Sequence, residues 1–416
     1  MGMLGKFFNR GYVRLTGTYD WQTPVVSSSG EVVTAHNALN LAAIYSCVNV
    51  KANAIAKLPL GVFQKTDNGR VKVVNHPVQR LLETRPNPYM TPFLFKHTME
   101  VHRNLYGVAY IKQEFDKYGR PVALYLMYPP YVTVAEDLDG KKFYIETLPG
   151  VENTTVYDET EILRLPYLTI DGFEPKSPIT VARETIGTLK QQQKFLGSFY
   201  SNGTLTRGIL RIPSQLNKDA KEKVRQAWQE ANSGTDNASK IAILDSGIEF
   251  QNITIPLQDA EFIASQKFGI EEIARIFNVP LHMINSLENA TFSNIEQQSL
   301  DFFVNTIAPE LVAMEEEMNF KLFTTLEADG GYYVKFNMAS ALRGDSTARA
   351  NYYKTMVEMG VYSINEVREL EEKDRIDNGD NHFISLNFTT LNNLENYQNG
   401  KNAAAMTATQ PNQNGQ

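Results

Sequence analysis

Cysteine is all but missing from this chain. Cys47 is the only one among 416 residues, so no intrachain disulfide can form and zinc held by several thiolates is excluded. Its apolar neighbours mark it as a buried structural thiol. Long apolar runs are missing too: none reaches the 18 or so residues that a bilayer span needs. The start, MGMLGKFFNRGYVRL, has no apolar middle of the secretory kind, and Lys6 stands where a myristoylation signal wants Ser or Thr, so the chain is expected in the cytoplasm when made. No Gly-x-x-x-x-Gly-Lys-Ser/Thr loop is present to cradle phosphates, and no Gly-x-Ser-x-Gly elbow to carry a nucleophile. Asp137–Lys141 has half of a calcium loop without its distal glutamate and reads as a hairpin turn. The six histidines offer no metal pair. His97 and His102 are five apart with Glu100 between them, which puts the two rings on different faces of a helix. Neither a cofactor nor a metal is expected, and no enzyme class finds its motif.

A basic excess is also lacking. With 40 Lys and Arg against 47 Asp and Glu, the net charge is −7 and the pI near 5.6. Tight DNA binding draws most of its affinity from phosphate neutralisation, so this chain is not built to grip DNA. Acidic clusters at Asp259/Glu261, Glu271/Glu272 and Glu315–Glu317 read as solvated helix faces or subunit contacts rather than acid–base pairs.

What is present is a sizeable apolar fraction, 42%, enough for two or more domains of an α+β class. Residues 1–36 lack periodicity and read as an extended arm. A helical pattern runs from Asn37 through Ile44, Val48 and Ile55 to Leu58, where Pro59 stops it. Two further helices, HPVQRLLETRPNP and TPFLFKHTMEVHRNLYG, precede VAYIKQEFD, VALYLMY, YVTVAED and KFYIET, which alternate as strands of one antiparallel sheet. Ser177–Pro178 starts a helix that persists to Asn202, with Gln191–Gln193 beside its apolar stripe. An insert of about fifty residues follows, read as strand, helix, strand, strand. A second helix ends at Asn278. After a loop comes a third helix capped by Ser293 or Asn294, roughly thirty residues and on the order of 45 Å long, which Pro309 should kink near Ile307. Tyr332–Met338 alternates as a strand that can rejoin the first sheet. Two helices, STARANYYKTMVEMG and SINEVRELEEKD, precede a polar Asn/Gln/Ala/Thr tail expected to be disordered.

The runs IEEIARIFNVPLHMIN and ATFSNIEQQSLDFFVNTIAPEL carry a resemblance to the portal proteins of tailed double-stranded DNA bacteriophages, in the long-tailed branch. IYSCVNVKANAIAKLPLGVF, NPYMTPFLFKHTMEVHRNLYGVAYI, KSPITVARETIG, SNGTLTRGILRIP, ALRGDSTARANYY and GVYSINEVRELE extend it, in the family's order, over most of residues 37–386. Phe292 stands where the family often has Tyr, and RIDNGD lacks the proline of the family's usual Pro-Ile-x-x-Gly-Asp element.

That resemblance implies a portal-type subunit: arm 1–36, wing 37–176, stem helices 177–202 and 257–278, clip 203–256, tunnel loop 279–294, long kinked helix with returning wing strand 295–338, crown 339–395, tail 396–416. It implies a homo-oligomeric ring of about twelve copies at a capsid vertex of the virion. Double-stranded DNA would pass through weakly, with terminase large subunit, a head–tail connector, and major capsid and scaffold proteins as partners and no membrane. The channel constriction would be Leu281, His282, Met283, Ile284, Asn285, Ser286, Leu287, Glu288, Asn289 and Ala290. Lys190, Lys194, Lys267 and Arg275 are the basic stem residues that either face the lumen or pair with Glu184, Glu271 or Glu272 between subunits. Lys218, Lys221, Lys223 and Arg225 form a clip surface suited to a protein partner. Trp228 is read as anchoring its own clip helix. An adaptor that binds a portal, or an α+β enzyme without a recognisable motif, are the alternative readings.

Overall fold

Alternation of short strands and amphipathic helices is what the computed structural model bears out; it describes residues 14–15 and 25–383, apart from 68, 152–153, 202–207, 214, 233–247, 253–258, 285–291, 339–345 and 372. The chain divides into two units, 1–340 and 341–416.

The larger unit opens with β1 (Arg14–Leu15), then a hairpin of β2 (Val25–Val26) and β3 (Val32–Val33). The single helix expected from Asn37 to Leu58 is two: α1 (Ala35–Ala38), with a Thr34/Asn37 capping box, and α2 (Ala42–Ala56). Between them Leu41 is extended with its side chain buried, so burial overrides helical propensity there. β4 (Leu60–Thr66) and β5 (Gly69–Lys72), a hairpin the sequence pattern did not reveal, lead to α3 (Pro77–Glu83) and α4 (Pro92–Tyr106), each with proline in its first turn. Gly107 ends α4 at φ 77°, and a Cβ there would come within 2.8 Å of the Lys176–Ser177 backbone, so both conformation and space demand glycine.

β6 (Val108–Phe115), β7 (Pro121–Met127), β8 (Val132–Glu136), β9 (Lys142–Glu146), β10 (Thr155–Asp158) and β11 (Ile162–Pro166) follow, then β12 (Leu168–Thr169) and β13 (Pro175–Lys176). They do not form one sheet. β11-β6-β7 and β1-β8-β9-β10 are separate antiparallel sheets. Pro129 and Pro130, in the 3-10 turn between β7 and β8, offer no N–H to a ladder and break the continuity. Val108, Tyr110, Met127, Val132, Val134, Tyr144 and Ile162 form the core that joins the two sheets. The pairing of β1 with β8, and hydrogen bonds from the β2–β3 turn to later residues, tie in parts of the expected arm.

α5 (Pro178–Val181) and α6 (Arg183–Ser201) replace the single helix expected from Ser177, with a break at Ala182. In the insert, β14 (Gly208–Arg211) pairs antiparallel with β15 (Glu249–Asn252) around α7 (Lys218–Asn232); the expected strand KIAIL lies outside the described residues. α8 (Asp259–Phe277), a 3-10 turn (Leu281–Ile284), α9 (Phe292–Asp301), a π turn (Phe302–Ile307) and α10 (Ala308–Lys321) follow. α9 already includes Ser293 and Asn294, so neither is its cap. After α11 (Thr325–Asp329), β16 (Tyr332–Phe336) pairs not with the β6 sheet but with β4, giving the order β16-β4-β5.

In the second unit, α12 (Ser346–Glu358) is held to α13 (Ile364–Leu370) by Arg349 and Tyr353, both on Glu371 at the end of α13. Asn365 is buried and organises the RIDNGD turn: its side chain exchanges both hydrogen bonds with the Ile376 backbone, and its N–H donates to Gly379. These bonds, with Asn378 at φ 61° and an Arg375–Asp380 pair at 3.1 Å, define the turn where the family proline is absent.

Candidate functional site

α6 and α8 run antiparallel and side by side. Thr185 Oγ1 donates to Glu272 at 2.7 Å, Gln192 Nε2 to Ser265 Oγ at 3.0 Å, and the Phe195 and Phe262 rings lie 6.4 Å apart, so contacts advance along one helix as they retreat along the other. A glycine inside α8 is explained by the same pairing: a Cβ at Gly269 would meet Leu189 Cδ2 at 2.7 Å. One end of this pair carries the insert. At the other, α8 packs on α2 and on the 3-10 turn.

That lower end is latched. Asn278 is left-handed (φ 53°), and its N–H and that of Val279 bond back to Arg275 and Ala274, a Schellman closure with asparagine in the glycine position. The Asn278 amide donates to Thr306 Oγ1 at 2.7 Å, and Thr306 donates to the Asn278 carbonyl at 3.1 Å. Thr306 belongs to the π turn. Ala308 N–H there reaches Phe303 C=O, five residues back, and Pro309, which has no N–H to give, follows at the restart of the α-helix. The kink expected from Pro309 is therefore a π turn over the preceding turn and a half. His282, in the 3-10 turn, lies between Gln298 Oε1 (2.9 Å) and Ser299 Oγ (3.2 Å) of α9, so its ring closes the base of the loop.

A buried charge cluster, which the sequence reading missed, fixes the same region. Lys51 of α2 pairs with Glu310 of α10 at 2.7 Å and approaches Glu100 of α4 to 4.0 Å; Arg103 pairs with Glu100 at 2.6 Å and Glu310 at 3.2 Å. Tyr167 accepts from Lys51, and its ring lies under both cations. Burial pushes the Glu100 carboxyl up to about 7 against the pull of Arg103. Burial also raises Glu310, but Lys51 and Arg103 outweigh it and hold that carboxyl below its ordinary range. For Lys51 and Arg103 burial works against the charge, and the two carboxylates with Tyr167 more than offset it. The legible signal was Lys51 itself, which falls three residues after Val48 on the apolar face of its helix.

α10 also stitches two sheets together. Glu317 Oε1 accepts the Arg164 N–H of β11, Glu315 Oε1 that of Phe336, and Asn319 bonds both the N–H and C=O of Val334 in β16. Lys321 Nζ donates to the Ile162 and Glu159 carbonyls. Glu315 and Glu317, expected on a solvated face or a subunit contact, thus point into their own subunit; Glu316 alone of the three is exposed.

Of the expected channel residues, Leu281, His282, Met283 and Ile284 form the half-buried 3-10 turn, and 285–290 lie outside the described residues. Among the basic stem residues, Lys190 is half-buried while Lys194, Lys267 and Arg275 are exposed. Lys194 and Gln191 both bond Glu31 of the β2–β3 hairpin, which lies against α6 so closely that a Cβ at Gly187 would strike Ser27. Glu184 accepts from Ser28 in the same way. These pairs lie within one chain. Lys218, Lys221, Lys223 and Arg225 are all exposed on α7, Arg225 paired with Glu222 at 2.7 Å.

What this defines is a structural subunit: small antiparallel sheets bound to a helix that carries a latched loop, and an antiparallel helix pair with an insert at its far end. The chain belongs to the phage portal protein family, whose family profile matches residues 42–372. It is 28% identical to a protein of Streptomyces phage phiC31 described as "Probable portal protein", over 91% of this chain and 87% of that one, and 28% identical to the portal protein of Enterobacteria phage HK97 over 92% of each. Its fold is similar, at TM-score 0.54 and 18% identity, to a chain from the neck of a native gene transfer agent particle computed with C12 symmetry, over 86% of this chain and 97% of that one. The portal connector role is the function these relationships support, and the family is a structural one.

Proposed function

We propose that copies of this chain close head to tail into a ring of about twelve at one capsid vertex, and that double-stranded DNA enters and leaves the particle through its centre. The observation that carries this is the antiparallel α6–α8 pair: repeated by rotation it makes a continuous helical wall, with the insert at one rim and the latched loop at the other. In this reading α6 and α8 are the stem, the insert is the clip, 279–294 is the tunnel loop and the second unit the crown. Residues 281–290 are then the constriction, and Asn278, Thr306 and His282 fix the base of the loop. The clip meets the terminase large subunit during packaging and the head–tail connector afterwards. Capsid and scaffold proteins surround the ring in the virion, after assembly in the host cytoplasm.

Native mass measurement of the purified protein tests the ring. A single large oligomer is expected, and a stable species near 46.9 kDa at working concentration overturns it.

A further inference from the structure

The long helix is apolar on two sides: Ile307, Leu311, Met314, Met318 and Leu322 are buried in its own subunit, and a second apolar row is exposed. Helices on protein surfaces turn apolar side chains to the core and charged ones to water. α10 turns Glu310, Glu315, Glu317 and Asn319 to partners within its own subunit, as described, while the outward side of the α9–π–α10 rod shows Leu300, Val304, Val312 and Phe320, 41%, 51%, 51% and 80% exposed. Pro309 and Ala313 lie exposed along the same rod; among the described residues, Asp301, beside Leu300, and Glu316, between Val312 and Phe320, are the exposed charges within its length. The stripe spans on the order of 30 Å.

Such a face does not suit bulk water, and it does not suit DNA, whose phosphates call for cations. Its chemistry calls for apolar protein surface. The four side chains expose on the order of 400 Å², as much as a whole monomer normally gathers in one patch and about half of one side of a standard protein interface. That is too little for a stable dimer by itself, and it suits one component of a larger contact repeated around a ring. It also begins next to the loop assigned to the channel, so a neighbour covering it runs from the constriction outwards along the helix.

We infer that this outward stripe, Leu300, Val304, Val312 and Phe320, is packed against the adjacent copy of the same chain, which meets it with a different surface, as a closed head-to-tail ring requires. The inference rests on the ring reading and adds to it the face on which each subunit receives its neighbour.

The test places a photo-crosslinking benzoylphenylalanine at Val312 in rings assembled from equal amounts of light and nitrogen-15 chains. Mixed-mass crosslinks between copies are expected; crosslinks confined to the same chain, or none in intact rings, overturn the inference. A second variant, Val304→Asp with Val312→Asp, changes only exposed positions. It is expected to keep the parent's circular dichroism and melting behaviour while losing the ring mass, at least tenfold in the fraction assembled at equal concentration. Rings of undiminished yield overturn the stripe and leave the ring reading standing; a parent that is itself a single chain overturns both.

Discussion

At the scale of single residues, Lys96 is a buried cation without a carboxylate partner among the described residues. Its side chain lies in the interior, its ammonium donates to the Leu58 carbonyl, and burial pulls its pKa from 10.5 down to about 8. Protons bind the unfolded chain more strongly between those two values, so this lysine's cost to stability is fully present below pH 8 and is relieved as pH rises towards 10.5. The shift corresponds to about 3 kcal/mol. Lys96→Met removes the charge and leaves the Leu58 carbonyl without its donor at every pH. Its stability relative to the parent is therefore expected to fall by about that amount between pH 7 and pH 10.5 in paired urea titrations; a difference that does not move with pH refutes this account of Lys96. Glu100 acts in the opposite sense, because a carboxyl raised to about 7 favours folding most below its unfolded pKa and loses that contribution as pH climbs through 7. Neither group was legible as such. Periodicity marks positions as inward-facing, and a lysine or glutamate on such a position contradicts the pattern without saying which partner, far along the chain, resolves it.

At the scale of elements, periodicity located nearly every helix, and Pro309 marked the interruption near Ile307, but the breaks in the two earlier helices were not read. The breaks at Leu39–Leu41 and Ala182 follow from what the side chains meet in three dimensions. The hairpin at Leu60–Lys72 went unseen because its second strand is exposed on every residue and carries no alternation. The division of one expected sheet into two was written in Pro129–Pro130, whose weight is plain only once β7 and β8 are seen to part there. That two long amphipathic helices flank an insert was legible, yet the notch between Gly269 and Leu189 was not. The stitching by α10 gives a prediction at this scale. Asn319→Ala leaves a buried strand N–H and C=O unmatched and Glu315→Ala leaves one N–H, so losses of roughly 2 and 1 kcal/mol are expected, against less than about 0.5 for Glu316→Ala. Chemical unfolding that ranks Glu316→Ala with the other two would show that the bonds to β16 are incidental.

At the scale of the whole molecule, charge and connectivity set the expectations. A ring of about twelve chains at −7 each carries on the order of −80 charges, a field that repels phosphate unless cations concentrate in the lumen. Lys194 is already engaged by Glu31, which leaves fewer stem cations for DNA than the sequence alone suggests. Duplex DNA titrated onto purified rings is expected to bind weakly, without sequence preference, and to dissociate in moderate salt. Nanomolar binding that survives salt contradicts a channel through which DNA slides. For the clip, Lys221→Glu with Arg225→Glu reverses two exposed charges on α7 and should leave ring mass intact while weakening capture of terminase large subunit by about tenfold or more. Equal capture by parent and variant removes that surface from the terminase contact.

The π turn has a consequence for how such a chain can change over generations. One extra residue in a single turn rotates everything before it by about 100° relative to everything after it. The rod is thus two rulers joined with a slip, not one. The α10 ruler is bolted to helices α2 and α4 by Glu310 and to the sheets by Glu315, Glu317 and Asn319, so its phase cannot drift. The α9 ruler touches the loop through His282 and the stem through Thr306 in the slip itself. Loss or gain of a residue upstream of Phe302 is expected to be absorbed in that joint without re-cutting the scaffold that α10 holds.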